Sequence, residues 1–191
     1  MKILPRLALL GPLPLILGLL AGCNLLPQPQ ADSVRYFTLS GPAAVPPVAE
    51  GTEVRPVQLA GHLRNRALAV RVAANEVVYL EDARWAEPLD HAITQLLRAR
   101  LGAVAGGASV SVQIQRCELD RAEGNRVQVA ATYSIAPAEG GRALTLRGAF
   151  TASPRKWDGK DYGTLVDQLQ AAVGELGEAI AVAVGTPPEK K

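Results

Sequence analysis

"LDHAITQLLRARLGAVAGGASVSVQIQRCELD", residues 89–120, changes its period in the middle, and that change decides the fold class. Leu89, Ile93, Leu96, Leu97 and Leu101 recur at helical spacing, with Asp90, Gln95, Arg98 and Arg100 on the wet side. Pro88 stands where a first helical turn tolerates it, and Gly102 ends the run. Past Gly106-Gly107 the period becomes two, with Val110, Val112 and Ile114 alternating against Ser111, Gln113 and Gln115. Near Arg116 the phase slips, Cys117 and Leu119 take over the apolar positions, and a bulge is predicted there.

Downstream, Val127, Val129, Ala131, Tyr133 and Ile135, and then Leu144, Leu146, Gly148 and Phe150, extend the pattern into a three-stranded meander. Its turns fall at Glu123-Gly124-Asn125 and Glu139-Gly140-Gly141. From about Tyr162 to Val184, Leu165, Val166, Leu169, Val173, Leu176 and Ile180 form one stripe opposite Asp167, Gln168, Gln170, Glu175 and Glu178. This is a second amphipathic helix, which needs a sheet beneath it. Upstream, "VRYFTL" (34–39) reads as a first strand, and "TEVRPVQL" (52–59) as an edge strand or bulged strand because of Pro56. Residues 66–82 read as a hairpin, Leu68-Val70-Val72 turning at Ala74-Asn75 and returning over Val77 to Leu80. The expected class is α+β, a two-layer domain over 34–186 whose mixed or antiparallel sheet carries both helices on one face, followed by a tail, 187–191. No internal repeat is present.

The N-terminus has a different logic. Lys2 and Arg6 precede an apolar run, Leu7 to Leu20, that is interrupted by Gly11, Pro12 and Pro14 and falls short of the roughly 20 residues a bilayer span needs. Leu20-Ala21-Gly22-Cys23 then resembles a bacterial lipobox: a branched residue, two small ones and a thiol. That resemblance implies a signal peptide over 1–22, diacylglyceryl and acyl groups on Cys23, and a mature chain held in the membrane by its lipid. Each buried methylene contributes about 0.8 kcal/mol, so several acyl chains anchor firmly. Asn24 stands where Asp would direct retention in the inner membrane of enteric bacteria, so the expected location is the periplasmic face of the outer membrane. Residues 23–33 form the lipidated cysteine and a Pro/Gln-containing tether. The ten residues after Cys23 extend at most about 33 Å.

Composition excludes several classes of function. The chain of 191 residues has 20 basic and 18 acidic residues, and loss of Lys2 and Arg6 with the signal leaves equal numbers. Nothing clusters into a basic footprint, so no nucleic-acid partner is expected. Cys117 is then the one remaining cysteine, expected to be buried and to act as a small apolar residue. Two histidines, His62 and His91, and six serines without a Gly-x-Ser-x-Gly surround support neither triad chemistry nor a metal set. Asp90 and His91 project about 100° apart on a helix and form no relay. We therefore expect no catalytic residue, no metal and no cofactor beyond the covalent lipid on Cys23.

"RWAEPL", 84–89, places Trp85 just before a helix, where the ring either packs under the first turn or stands exposed as a partner anchor. This stretch, with Tyr36-Phe37-Thr38-Leu39, Val77-Val78-Tyr79, the lipobox and the long final helix, resembles the ABC-type transport auxiliary lipoproteins, the PqiC-like lipoproteins of MCE lipid-transport systems. The resemblance covers about 34 to 184. His62-Leu63 departs from it, standing where the family usually has Tyr-Leu. It implies a non-enzymatic lipoprotein that works with an ABC permease, an ATPase and an MCE-domain protein to move lipid between membranes. Tyr36, Tyr79 and Trp85 are the expected partner contacts. Two other readings stay open on the residues alone: an envelope assembly lipoprotein without a transporter, and a carrier with its own apolar cavity.

Overall fold

The computed structural model describes residues 33–39, 51–104, 107–137 and 145–185. Cys23, the signal segment, most of the 41–51 loop, the turn at 139–141, Leu144 and the tail lie outside the described residues. In chain order the elements are β1 (Arg35–Phe37), β2 (Glu53–Val54), β3 (Gln58–Leu59), a 3-10 turn (Gly61–Arg64), β4 (Ala67–Ala73), β5 (Glu76–Trp85) and α1 (Leu89–Leu101). There follow β6 (Ala108–Asp120), β7 (Arg126–Pro137), β8 (Leu146–Thr151), β9 (Arg155–Lys156) and α2 (Tyr162–Gly185). The architecture is α+β, a mixed sheet in the order β1-β5-β4-β6-β7-β8 covered by two helices.

The sheet is built around β6 and β7, the two longest strands. They pair antiparallel from Ala108↔Pro137 to Asp120↔Arg126, with a register shift between Ile114 and Arg116. That shift is the bulge the sequence predicts. It keeps Val110, Val112, Ile114, Cys117 and Leu119 all buried. Asn125, with φ 61°, and Gly124, with φ 77°, turn the chain into β7.

The other edge of β6 carries three parallel partners in succession: β2 at Val110, β3 at Ile114 and β4 at Leu119. The single strand expected over 52–59 is therefore two, because Pro56 has no N–H to continue a ladder. The hairpin turns where expected, with Ala73 paired to Glu76. Its return strand runs beyond Leu80 to Trp85, through a register shift that leaves Glu81 and Asp82 exposed and restores Ala83 and Trp85 to the buried side. The first strand is shorter than expected, though Leu39 beyond it is fully buried.

Both helices join one hydrophobic cluster with the inner sheet face. Leu89, Ile93, Leu97 and Leu101 of α1 are buried, whereas Leu96 is only half-buried. Leu165, Val166, Leu169, Val173, Leu176 and Ile180 of α2 are all buried, against β7, β6 and α1. Thr94 holds the β2–β3 linker: it accepts a hydrogen bond from the Val57 N–H at 3.0 Å and donates to the Asp90 carbonyl at 2.6 Å.

Candidate docking site

At the corner where β5 meets α1, Trp85 is register partner to Phe37 in the parallel β1–β5 pair. Its N–H donates to the Arg66 carbonyl at 2.7 Å, and the Ala86 N–H donates to the Phe37 carbonyl at 2.8 Å. Trp85 is 3 % exposed. The exposed-anchor reading of this ring is thereby corrected: it packs under the first turn of α1 and offers a partner almost no area. What lies open there is a depression of about 400 Å³, floored by Trp85, Pro88 and Leu89 and rimmed by Arg64, Glu87 and Asp90.

Tyr36 and Tyr79, by contrast, are exposed, at 55 % and 37 %. Tyr36 lies beside Arg84 on the edge strand, whose Arg35 forms an ion pair of 3.0 Å with Asp161. The hydrogen bond from Arg35 and that from the Thr164 N–H hold the Asp161 carboxyl below its usual value. Tyr79 donates its hydroxyl to the His62 carbonyl at 2.9 Å, which fixes the ring over the 3-10 turn. Tyr36 and Trp85 stand together where β1 pairs with the last residues of β5, whereas Tyr79 lies further back on β5, opposite Ala69 near the hairpin, so the structure brings the first two together and sets Tyr79 apart along the same strand.

Beside Tyr79 lies a charge cluster that the sequence reading missed. Glu118, whose side chain is fully buried, accepts from Arg71 Nε at 2.7 Å and Arg116 Nε at 2.8 Å, and its other oxygen lies 3.1 Å from His62 Nε2. Arg116 also reaches Asp120 at 2.6 Å. Burial opposes the charge on Arg116, but hydrogen bonds to Asp120 and Glu118 outweigh it and raise the pKa. Burial likewise pushes the Asp120 carboxyl up, and the Arg116 and Glu123 hydrogen bonds more than reverse this. One signal was available: after the bulge, Arg116, Glu118 and Asp120 alternate on the face opposite Cys117 and Leu119. His62, the departure from the family's Tyr-Leu pair, is the residue that meets Glu118.

No chemistry is assembled elsewhere among the described residues. Burial and the neighbouring Glu118 push the Cys117 thiol up to about 12, leaving no thiolate to react. His91 pairs with Glu87 at 2.8 Å and Gln95 at 3.2 Å along the exposed side of α1. Among the described residues no cluster of three His, Cys, Asp or Glu is placed to hold a metal ion, and no helix is long and apolar enough to cross a membrane.

Residues 37–181 match the family model of the ABC-type transport auxiliary lipoprotein component. The chain belongs to this family. No curated protein matches the lipoprotein's sequence. Its fold is similar to the crystal structure of protein XCC0632 from Xanthomonas campestris, with 18 % identity, a TM-score of 0.60, and 79 % of this chain and 91 % of that one covered. A crystal structure of an uncharacterized protein is equally similar, at 15 % identity and TM-score 0.60 over 78 % of this chain and 97 % of the other. The auxiliary lipoprotein thus shares its two-layer architecture with both.

Proposed function

We propose that this auxiliary lipoprotein is lipidated at Cys23 on the periplasmic face of the outer membrane and docks on the MCE-domain protein of an ABC transport system, supporting movement of lipid between membranes. The observation that carries the reading is the family match over 37–181, preceded within a short tether by Leu20-Ala21-Gly22-Cys23. The anchor raises the domain's local concentration at the membrane where cargo arrives, so a modest docking affinity suffices. Tyr36 and Tyr79 supply the exposed aromatic contacts, while Trp85 shapes the depression between α1 and the sheet. The ATP-driven step belongs to the permease and ATPase.

Site-specific photo-crosslinking at positions 36 and 79 in intact cells tests this, with membrane fractionation of wild type and Cys23→Ser in parallel. A crosslink to an MCE-domain protein, and release of Cys23→Ser into the soluble periplasm, are the expected results. Crosslinks confined to an outer-membrane barrel would overturn the transport role in favour of envelope assembly. An inner-membrane location for the wild type would overturn the sorting.

A further inference from the structure

The sheet face turned away from the helices carries an open groove of about 830 Å³ that the proposed docking role does not use. Its lining includes two arginines, Arg55 and Arg147, and no acidic residue. Its floor is polar and ordered by register. Ser111, Ser134 and Arg147 form one row across β6, β7 and β8, and Gln113, Thr132 and Ala149 form the next. Hydroxyl and amide groups of this kind suit a charged polar ligand. Arg55 is fixed by donation from its Nε to Ser109 Oγ at 3.0 Å, with its terminal nitrogens left over. The Arg147 side chain is exposed and has no ion-pair or hydrogen-bond partner among the described residues.

A second observation concerns the strand that carries Arg147. Among the described residues β8 pairs with β7 alone, so its other edge offers a row of backbone donors and acceptors. The two faces of that edge differ. On the helix side Leu146 is 43 % exposed and Phe150 is half-buried, and the Tyr133 ring lies across Gly148, where a Cβ would stand within 2.3 Å of it. Arg147 occupies the opposite side. A strand added here would continue an apolar inner face and meet a positive charge on its outer one.

We propose that β8 and the adjoining groove form a binding site for an extended acidic segment of a partner protein, which adds to the sheet edge. Apolar residues of the segment sit beside Leu146 and Phe150, and alternate Asp or Glu residues face Arg147. Main-chain pairing supplies affinity, and the alternation of the segment supplies specificity. The site lies at the opposite edge of the sheet from the β1–β5 pair that carries Tyr36 and Tyr79, and its existence does not depend on whether an MCE protein is the partner.

The probe is an N-terminally fluorescein-labelled, C-amidated heptapeptide alternating Val and Glu, titrated with the whole mature chain to millimolar concentration and followed by fluorescence anisotropy and amide hydrogen exchange. Binding that protects amides in 146–151 and weakens with added salt is expected. Arg147→Glu should weaken it by roughly fivefold or more, and Arg55→Glu, three strands further from the edge, by less. Both side chains are exposed, so unchanged thermal melts verify that the variants fold. The idea is overturned by equal binding of a Val-Lys peptide, by equal binding of the peptide N-methylated at alternate residues, or by no binding at all. Arg147-dependent dimerisation without peptide, or Arg147-dependent binding to anionic phosphatidylglycerol vesicles in place of peptide, would equally overturn it by naming another occupant.

Discussion

Glu118 shows how a single residue can be misread. In the sequence it is one acid in a mixed run, whereas in the fold it is a buried carboxylate held by two guanidinium groups beside an imidazole. Removing one partner leaves that charge undercompensated where water does not reach. Arg116→Ala should therefore cost about 2–4 kcal/mol in urea denaturation. Arg100→Ala, which loses the exposed pair with Glu178 and the contact of its stem with α2 but strands no buried charge, should cost less, about 1 kcal/mol. Equal costs would show that the cluster is wet. Cys117 was legible because its neighbours alternate around it, and it is 2 % exposed. In a thiol-reagent assay it should remain unreacted in the native protein at pH 8 and react at once on unfolding. Reaction at a native rate near that of free cysteine would contradict its burial.

At the scale of elements, legibility followed the length and regularity of the pattern. Both helices and the β6–β7 pair were readable because their stripes persist for many residues and their turns carry glycine. The strand read over 52–59 was legible, but its division into β2 and β3, their parallel pairing and the two-residue β9 were not, since two residues hold no period and exist as strands only because β6 or β7 runs alongside. The helix contact holds a further local test. A Cβ on Gly174 would meet the Arg100 guanidinium nitrogen at 3.0 Å, and one on Gly177 would meet Arg100 Cδ at 3.0 Å and Leu97 at 3.5 Å. Glycine inside a helix costs about 1 kcal/mol relative to alanine, and the end of Arg100 is free to move. Gly174→Ala should therefore stabilise by roughly 0.5 kcal/mol. Gly177→Ala, which presses on the stem of Arg100 and a core leucine, should gain less; calorimetric melts that reversed this order would refute the packing argument.

For the whole molecule, the response to acid is set by carboxylates that the fold holds ionised. The Asp120 and Glu175 pKa values are both lowered, the latter by hydrogen bonds from Arg155 and the Ser153 N–H. Because each is lower in the fold than in the unfolded chain, its contribution is whole above the unfolded values near about 4 and is lost as the pH falls through the folded ones. Melting temperature should fall steadily in acid below about pH 5, and Asp120→Asn should flatten that slope. An unchanged slope would remove Asp120 from the account. The sequence by itself determined the α+β class and the inner faces of the long elements, because each is written in neighbours a few residues apart. Only the tertiary structure decided that Trp85 is buried, that Glu118 is encircled by residues as far off as His62 and Arg71, and that β8 pairs with β7 alone among the described residues. Those outcomes depend on which distant strands become adjacent, and no local period encodes adjacency across the sheet.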